Sequence, residues 1–313
     1  MTVGPASPAL VTGAAGFFGS HLVARLARDG CAVSGIDIAP DQRAQPDGVR
    51  VVAADVRDSD ALRRVIADLR PAVVYHLAAQ ASVTVSMRDP AHDIDVNVLG
   101  SVRVAQAAIE GGVQRLVFVS TGGALYGEPD QVPVTEAATP APLSVYGVSK
   151  LAAERYLTVL AADAQIDLSI VRPANIYGPG QDPLGEAGVV AIFAAKMLRD
   201  EPVTIFGDGS QQRDYLYVDD AVDATVLAAV SEPAACLIGT ATGTSTLDVY
   251  QLVARFAGYE REPKYEAERP GDIQRIALAS ERAKRLWGWE ASTSLEDGFA
   301  ATVDWFRANP RNE

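Results

Sequence analysis

The stretch Ala9-Leu-Val-Thr-Gly13-Ala-Ala-Gly16-Phe-Phe-Gly19-Ser decides the fold of this chain. Its first four residues are apolar enough for a buried strand, and the residues after it have the apolar spacing of a helix. Gly13 permits a tight turn, Gly16 lets a ligand approach the backbone closely, and Gly19 lets the helix pack on the strand. Strand, glycine turn and helix in this order are typical of a dinucleotide-binding unit, in which the helix N-terminus faces the pyrophosphate.

A second predicted strand, Val33 to Asp37, ends in an acid 24 positions after Gly13. A carboxylate at this place accepts hydrogen bonds from the adenosine ribose hydroxyls and repels a 2′-phosphate. Asp37 therefore favours NAD over NADP as the cofactor. Its alternative role is to cap a helix or a turn.

Short apolar runs alternate with helical patterns through the first half of the chain. The further predicted strands are Val49 to Ala53, Ala72 to His76, Leu116 to Ser120 and Leu168 to Val171, and the helical segments include Asp60 to Leu69 and Gly100 to Glu110. This alternation predicts an α/β fold with a doubly wound parallel (Rossmann) sheet. Ligands of such a sheet bind beyond the carboxyl ends of its strands. The candidate residues at those ends are Asp37, Asp55, 77–80, 120–123 and Asn175.

Composition restricts the possible partners. The 313 residues carry a net charge of -13 at pH 7. A negative surface repels nucleic-acid phosphates and anionic membranes, so neither is expected as a partner. A negatively charged substrate would need locally concentrated arginines, which directs attention to Arg213 and Arg269.

Cysteine content and hydropathy indicate the compartment. Only Cys31 and Cys236 are present, without metal-ligand residues nearby, so neither a disulfide framework nor a metal site is predicted. No apolar run approaches the roughly 18 residues of a membrane span, and the N-terminal residues lack the pattern of a signal peptide. We therefore expect a cytoplasmic protein.

Tyr146 and Lys150, in Ser-Val-Tyr-Gly-Val-Ser-Lys, are four residues apart and so share one face of a helix. A nearby ammonium favours phenolate over phenol and lowers a tyrosine pKa from about 10 toward the operating pH. The pair can therefore supply a base. The alternative is chance placement on a solvated helix.

Ordered motifs run nearly from end to end of the chain. They are 12–21, Asp55-Val56, His76-Leu-Ala-Ala-Gln80, Asn97, Tyr126-Gly127, Tyr146-x-x-x-Lys150, Arg172-Pro-Ala-Asn175-Ile-Tyr-Gly178, 206–215, Val218-Asp-Asp220, Arg269-Pro-Gly-Asp272 and Leu286-Trp-Gly-Trp. Taken together, they resemble the extended short-chain dehydrogenase/reductases and, within them, the nucleotide-sugar 4-epimerases that act on UDP-glucose and UDP-galactose.

The resemblance implies a set of contacts to NAD and to a UDP-sugar. It places Gly13, Gly16, Phe17, Phe18 and Gly19 at the pyrophosphate, Asp37 at the ribose, Asp55 and Val56 at the adenine, and Leu77, Ala78, Ala79, Asn97, Ser120, Tyr146 and Lys150 along the rest of the cofactor site. Asn97 would support the fold near the active-site strand. The implied substrate contacts are Thr121, Asn175, Val189, Arg213, Arg269 and Asp272. Arginine suits a diphosphate because its planar fork forms paired bonds to phosphate oxygens, although either arginine has a surface salt bridge as its alternative role.

The resemblance also implies a mechanism. Tyr146 would take the proton of the sugar 4-hydroxyl while NAD oxidises C4, and reduction of the 4-keto sugar from its other face would invert C4 without net redox change. Lys150 would also bond the nicotinamide ribose.

Two ways of counting place the hydroxyl that shares the substrate proton at different positions. Counting back from Tyr126-Gly127 reaches Gly122, whereas counting forward from the strand reaches Thr121. We prefer Thr121 as the third catalytic residue beside Tyr146 and Lys150. Ser120 would then tie down the strand end.

The same loop separates this chain from enzymes of similar sequence. Nucleotide-sugar 4,6-dehydratases carry an Asp-Glu pair after the loop threonine, and UDP-glucuronate decarboxylases carry a glutamate there, whereas this chain has Gly122-Gly123. An epimerase or a nucleotide-4-ketosugar reductase remains, with a non-catalytic NAD-binding regulatory protein as the remote alternative.

Position 180 bears on the sugar. Relatives that act on glucuronate commonly carry an arginine after Tyr-Gly-Pro, and this chain has Gly180. A neutral hexose is favoured, with UDP-glucose/UDP-galactose first and UDP-glucuronate or UDP-N-acetylhexosamines as alternatives.

Two domains and a homodimer are expected. Residues 1–173 would form the NAD-binding Rossmann domain and residues 174–313 a smaller C-terminal α/β substrate domain, with parts of 210–245 packing back on the first. The resemblance implies dimerisation through the helices Gly100 to Glu110 and Lys150 to Ala162, although their apolar positions could equally be internal core.

Overall fold

The computed structural model describes residues 6–43, 45–183, 188–268 and 273–310. The strands are β1 (Ala9–Thr12), β2 (Val33–Asp37), β3 (Arg50–Ala53), β4 (Val73–His76), β5 (Arg115–Val119), β6 (Asp167–Pro173), β7 (Asn175–Tyr177), β8 (Thr204–Phe206), β9 (Gln212–Arg213), β10 (Tyr215–Tyr217), β11 (Ala235–Ile238), β12 (Thr244–Ser245) and β13 (Lys264–Glu266). The helices are α1 (Phe17–Arg28), α2 (Ser59–Leu69), α3 (Val83–Arg88), α4 (Pro90–Ile94), α5 (Ser101–Glu110), α6 (Val145–Ala164), α7 (Val189–Leu198), α8 (Val218–Val230), α9 (Thr246–Ala257), α10 (Glu281–Trp287) and α11 (Leu295–Ala308). A 3-10 turn (Pro40–Gln42) and a π-helical turn (Asp95–Gly100) complete them.

Seven parallel strands form the main sheet, in the order β11-β6-β5-β4-β1-β2-β3. The predicted doubly wound parallel (Rossmann) sheet is therefore confirmed. The chain leaves β1 toward β2 and β3 and then returns to β4 on the other side, so the strand order reverses between β1 and β4. Ligand sites of such sheets lie at this switch point, here beyond Thr12 and His76.

The strands of the main sheet are buried on both faces. Leu10 and Val74 point into a core covered by α2, α5 and α6, whereas Val11 and Tyr75 point into the opposite core under α1 and α8. Side chains alternate between the two faces because a strand has a period of two residues. Burial on both faces explains why these strands read as continuous apolar runs rather than as alternating ones.

A third core lies in the C-terminal part of the chain. Helices α7, α9 and α11 pack on one another around Phe193, Val253 and Phe299. The sequence after residue 173 also contributes β11 to the main sheet and α8 to its face. The division at 173/174 stays a prediction, and we propose it with these two elements assigned to the Rossmann part.

Helix α5 shows a local difference from the sequence-based prediction. The expected helix from Gly100 begins at Ser101, and the π-helical turn precedes it. Apolar spacing did not predict that turn, in which a wider backbone ring replaces the α-helical one.

None of the helices in the described ranges is both long enough and apolar enough to cross a membrane.

Candidate active site

The glycine turn after β1 is packed so closely that no side chain fits at Gly13 or at Gly19. Gly13 has φ +71°, and a Cβ there would lie 2.8 Å from the backbone nitrogen of Ala78. A Cβ at Gly19 would lie 1.9 Å from the carbonyl oxygen of Gly13. Helix α1 begins at Phe17, and no side chain caps its first N–H groups. The turn thus offers bare backbone and uncapped donors, the chemistry that a pyrophosphate needs. Phe18 lies in the same first turn of α1.

Asp37 ends β2 beside this turn. Its Oδ2 accepts a hydrogen bond from the backbone N–H of Ala15 over 3.0 Å, and its Oδ1 accepts one from Ala39 over 2.9 Å. The Asp37 carboxylate therefore caps turns, which is the alternative role that the sequence allowed for this residue. Each oxygen still has lone-pair capacity for a ribose hydroxyl, so the cofactor role stays a prediction.

Asp55 and Val56 follow β3, the neighbour of β2. Asp55 accepts hydrogen bonds from the guanidinium of Arg57, at 2.7 Å from Nη2, and these hold the pKa of Asp55 below its usual range. Val56 is buried, and a Cβ added to Gly100 would lie 2.9 Å from its Cγ2. The two predicted adenine contacts thus sit where the end of β3 meets the start of α5.

A buried hydrogen-bond chain connects β1, β4 and α5. The Thr12 hydroxyl accepts from the backbone N–H groups of Leu77 and Ala78 at 3.2 and 3.1 Å and lies 2.7 Å from Nδ1 of His76. Nε2 of His76 lies 2.8 Å from the hydroxyl of Ser101, which donates to a backbone carbonyl. These directions assign the ring proton to Nε2, so that Thr12 donates to Nδ1.

His76 is held neutral in this chain. Burial, together with the charge of Lys150, lowers the pKa of His76 to about 3. The neutral ring fixes Thr12, and Thr12 fixes the backbone of the Leu77-Ala78-Ala79 segment against Gly13. These bonds join Leu77 and Ala78 of the predicted cofactor lining to the strand that leads into the glycine turn.

Asn97 lies in the π-helical turn and is buried. Its Oδ1 accepts from the backbone N–H of Gln80 over 2.8 Å, and its Nδ2 lies 2.9 Å from the carbonyl oxygen of Gln80 and 3.2 Å from the hydroxyl of Ser149. Its described contacts are therefore to the protein. They hold the end of the 77–80 segment next to α6.

Helix α6 carries the tyrosine and the lysine. The Ser144 hydroxyl caps it by accepting from the N–H of Gly147 over 3.1 Å, and the N–H of Tyr146 donates to the hydroxyl of Ser86 over 3.0 Å. Tyr146 is half-buried in the first turn, and Lys150 is buried one turn further on. The four-residue spacing thus places both on the face that looks toward the sheet.

Lys150 crosses from α6 to the end of β5. Its Nζ donates to the carbonyl oxygen of Val119 over 2.7 Å and lies 4.2 Å from the ring centroid of Phe118. Burial lowers the pKa of Lys150 to about 7, and the carboxylates of Glu154 and Asp93 oppose part of that change. The lysine therefore titrates near neutral pH, where a catalytic group is most useful.

Glu154 continues the face of Tyr146 and Lys150 by one more turn. Its carboxylate forms paired bonds to Arg172 of β6, at 2.9 Å from Nε and 2.6 Å from Nη2, and Nη1 of Arg172 donates to the hydroxyl of Tyr126 over 2.9 Å. Burial alone would lower the pKa of Arg172, but the bonds to Glu154 raise it, so the guanidinium is charged. This triad fixes α6 to β6 and to the loop after β5.

The loop after β5 contains both candidate hydroxyls. Thr121 is buried and its Oγ1 accepts from the N–H of Ala124 over 3.3 Å, which leaves its hydrogen for another acceptor. The Ser120 hydroxyl is buried without a hydrogen-bond partner in the described part of the chain, and the backbone N–H of Ser120, not its hydroxyl, bonds to Val171. A Cβ at Gly122 would lie 2.3 Å from Cδ1 of Leu278 and 2.9 Å from the backbone oxygen of Arg172, which cannot move aside as a side chain can. Position 122 therefore has no room for a serine or threonine.

The predicted substrate contacts are only partly described. Asn175 is exposed at the start of β7, with its Oδ1 3.0 Å from a Cβ built on Gly123, so it borders the loop of Thr121. Arg213 on β9 donates to the carbonyl oxygen of Ile273 over 2.5 Å, and Val189 begins α7. Arg269 and Asp272 lie outside the described residues. Whether these side chains form one substrate site stays a prediction.

Position 180 leaves little room for a side chain. Gly180 has φ +82°, and a Cβ there would lie 2.9 Å from Nη1 of Arg43. An arginine at this position would have to displace Arg43 and strain the backbone. The glycine therefore has a local explanation, and it carries less information about the sugar than the sequence indicated.

A separate cavity of about 520 Å³ lies away from these residues. Residues from the segments 239–244 and 280–295 line most of it, and serine and threonine side chains lie there beside apolar groups such as Trp289 and Leu295. It includes none of the predicted catalytic residues, so the candidate active site is assigned from the switch point and the side-chain chemistry instead.

Sequence reasoning did not assign a role to Glu154 or to Asp93. Glu154 could have been found, because it repeats the four-residue spacing of Tyr146 and Lys150. Asp93 is fully buried in α4, but nothing in its local sequence distinguishes it from Asp89, which is exposed, or from Asp95, which is partly exposed.

Known proteins that are similar to this chain belong to one family. A sequence model of the family described as "NAD dependent epimerase/dehydratase family" matches residues 9–238. The UDP-glucose 4-epimerase of Mycolicibacterium smegmatis is 44% identical over 309 residues, which cover 95% of this chain and 98% of that protein. The structure of UDP-glucose 4-epimerase from Thermotoga maritima with UDP-glucose superposes with a TM-score of 0.94 at 41% identity, covering 97% of this chain and 99% of that one. The Thermus thermophilus UDP-glucose 4-epimerase in complex with NAD gives a TM-score of 0.91 at 40% identity, covering 96% and 99%.

Proposed function

The chain belongs to the NAD-dependent epimerase/dehydratase family, and we propose that it is a UDP-glucose 4-epimerase that interconverts UDP-glucose and UDP-galactose with NAD as its cofactor. The choice of sugar nucleotide is supported by relatives that match the chain over nearly its whole length. The chemistry is supported above all by the placement of Tyr146 and Lys150 on one face of α6 beside the end of β5.

The residues at the switch point fit NAD. The bare turn from Gly13 to Gly19 and the uncapped start of α1 would receive the pyrophosphate, and Asp37 would receive the adenosine ribose. When bound there, NAD supplies the reversible oxidation of the C4 alcohol to a ketone. The 77–79 segment, held by Thr12, would line the site next to that turn.

Tyr146 acts as the base and acid of the reaction. Its phenolate takes the proton from the sugar 4-hydroxyl in the first half of the reaction and returns it in the second half. Lys150 favours the phenolate by its charge, and its bond to Val119 keeps that charge near the end of β5. Thr121 donates its hydroxyl hydrogen to the same substrate oxygen and so orients it.

Inversion requires that the sugar turn while the nucleotide stays in place. Arg213 would hold the diphosphate by charge-assisted bonds, with Asn175 and Val189 nearby and Arg269 and Asp272 as the further candidates. The 4-keto sugar then presents its other face and is reduced to the C4 epimer. No net redox change results, so the cofactor can stay bound through many turnovers.

A second copy of the chain is proposed as the partner. On α6, Val148, Tyr156 and Val159 are 53%, 56% and 68% exposed, and their spacing places them along one stripe. Met87 on α3, a helix that packs against α6, is 57% exposed and extends the stripe. Large apolar side chains in one patch favour an isologous interface. Light scattering at micromolar protein should give the mass of a dimer, and Val159→Lys should give a monomer.

A reducing compartment is proposed as the location. Both cysteines are free and buried. Free thiols that do not pair fit the cytoplasm, where disulfides are rare. Localisation of the tagged protein in fractionated cells would test this.

The test of the function is direct. Purified protein is incubated with UDP-glucose, with and without added NAD, and UDP-galactose is measured by chromatography, with Tyr146→Phe as the control. Formation of UDP-galactose without net NADH consumption, abolished in the variant, is the expected result. No product from UDP-glucose, together with turnover of UDP-glucuronate, UDP-N-acetylglucosamine or a nucleotide 4-ketosugar, would contradict the proposed substrate.

A further inference from the structure

Asp93 is a buried charge next to the site that the mechanism above does not use. It lies in the short helix α4 and is 0% exposed. Its Oδ2 accepts from Nε2 of Gln80 over 2.9 Å and from Nδ2 of Asn97 over 3.0 Å, and its Oδ1 has no hydrogen-bond partner in the described part of the chain. Both partners are neutral amides. A buried carboxylate without a paired cation is costly, so its presence here needs a physical reason.

One connection runs from Asp93 to the backbone of Tyr146. Nδ2 of Asn97 bonds to Asp93 and also lies 3.2 Å from the hydroxyl of Ser149. The Ser149 hydroxyl in turn donates to the carbonyl oxygen of Tyr146 over 2.9 Å. The carboxylate therefore helps to orient the amide of Asn97, whose two Nδ2 hydrogens are shared among Asp93, the carbonyl oxygen of Gln80 and the Ser149 hydroxyl of α6.

A second connection is electrostatic and ends at Lys150. The titratable groups that interact with this lysine are Glu154 on α6, His76 on β4 and Asp93 on α4. Tyr146 lies one helical turn before it on α6. Glu154 is paired with Arg172, and burial keeps His76 neutral. The neighbouring His92 of α4 interacts electrostatically with Asp55 and helps to lower the pKa of that carboxyl group. Asp93 is thus the carboxylate beside Lys150 whose charge no described cation neutralises by direct pairing.

We propose that Asp93 is a positioning residue of the catalytic pair: it holds the amide of Asn97 against α6 and places a carboxylate beside Lys150. The proposal rests on the proposed function. Asp93 touches neither substrate nor cofactor in this scheme and acts through Asn97, Ser149 and Lys150. These two roles explain why a carboxylate is present at a buried position although its desolvation is costly.

The experiment compares three variants of the full-length protein. Asp93→Asn removes the charge with little change in volume. Ser149→Ala breaks the link from Asn97 to Tyr146 but leaves every charge in place. Asp163→Asn is the matched control, because it removes an exposed carboxylate from α6 thirteen residues past Lys150, or roughly 20 Å along the helix. That separation exceeds the Debye length of about 8 Å at physiological salt. The measurements are kcat and KM for UDP-glucose between pH 5.5 and 9.5, and Tm.

The expected result separates the two connections. In Asp93→Asn, kcat at pH 7 should fall about tenfold, while KM stays within about twofold of the wild type. The pH profile of kcat should move to lower pH by about one unit, because loss of a negative charge lowers the pKa of both Lys150 and Tyr146. In Ser149→Ala, kcat falls severalfold and the profile does not move. Asp163→Asn behaves as the wild type.

Two outcomes overturn the proposal without touching the proposed function. One is an active wild type with an Asp93→Asn variant of unchanged kcat and pH profile, since a merely structural carboxylate would change Tm alone. The other is wild-type kcat in Ser149→Ala, which decides the matter even where Asp93→Asn fails to fold. A wild type that does not epimerise UDP-glucose at all overturns the proposed function and this proposal with it.

Discussion

The Nζ of Lys150 lies 2.7 Å from the carbonyl oxygen of Val119, so this side chain connects helix α6 to the last residue of β5. The next two residues of the chain are Ser120 and Thr121. One hydrogen bond therefore joins the helix of the proposed base, Tyr146, to the loop of the proposed hydroxyl donor, Thr121. The lysine has a structural and an electrostatic role at the same atom.

Lys150→Met is expected to remove both roles while nearly preserving the length of the side chain. The phenol of Tyr146 then lacks a nearby cation, so kcat should fall by a factor of about 10² to 10⁴, the range typical of a lost proton-transfer catalyst. The substitution removes a desolvated charge but leaves the carbonyl oxygen of Val119 without its donor, and because these effects oppose one another Tm should stay within a few degrees of the wild type. Steady-state kinetics and thermal melting check this, and a variant with kcat within fivefold of the wild type would contradict the assigned role.

The pH dependence of turnover should report the same lysine. Burial lowers the pKa of Lys150 to about 7, so its charge is complete at lower pH and is lost as the pH rises through that value. If the ammonium is required, kcat for UDP-glucose should decline on the alkaline side of neutrality, about tenfold per pH unit well above the pKa. A kcat that stays constant from pH 7 to pH 10 would show that the charged lysine is not needed.

Acid should destabilise the protein through His76. Its pKa is about 3 in the folded protein and near the ordinary 6.5 when unfolded, so the unfolded state binds the extra proton between those values. The free energy of unfolding therefore falls as the pH drops from 6.5 toward 3, with a contribution from this group of up to about 1.4 kcal/mol per pH unit. Urea unfolding at pH 7, 6 and 5 measures it. His76→Gln should be less stable at pH 7 but show a shallower dependence, and an unchanged slope would contradict the assignment.

The choice between the two loop hydroxyls can be tested by substitution. Thr121→Ala is expected to lower kcat by about 10 to 10² and to change KM little, because the hydroxyl orients the reacting oxygen. Ser120→Ala should be close to wild type. Adding Gly122→Ser to Thr121→Ala should not restore activity, since a Cβ at position 122 meets Leu278 at 2.3 Å. A large loss in Ser120→Ala with an active Thr121→Ala would reverse the assignment.

The sequence predicted the parts of the site that depend on local spacing. The glycine turn, Asp37 at the end of β2 and the Tyr146-Lys150 pair each follow from a few neighbouring residues and from the order of strands and helices. The main sheet was predicted as well, except that β11 extends it beyond β6. Strand β11 comes from the part of the sequence assigned to the second domain. It pairs with β6, which is more than 60 residues away in the sequence, and local sequence patterns do not predict such a long-range pairing.

The buried polar contacts could not be predicted in the same way. Arg172 and Tyr126 belong to recognisable motifs, but their bonds to one another and to Glu154 join three separate segments. Asp93 has an ordinary acidic sequence context and becomes distinctive only when α4 is packed under Gln80 and Asn97. Such contacts depend on tertiary packing, which sets burial and therefore the charge state of each group.

The pair of Arg172 and Glu154 leads to the last prediction, on stability. Their side chains are 10% and 3% exposed and form two short bonds, so Arg172→Met leaves Glu154 as an unpaired buried carboxylate. Removing one partner of a buried ion pair costs about 3 to 5 kcal/mol in the free energy of unfolding. The same substitution in an exposed pair, Arg255→Met opposite Glu296, should cost less than about 1 kcal/mol. Combining Arg172→Met with Glu154→Gln should recover part of the loss, because the second change removes the stranded charge. Urea unfolding of the four proteins measures these differences, and equal costs for the buried and the exposed arginine would show that the triad does not hold α6 to β6.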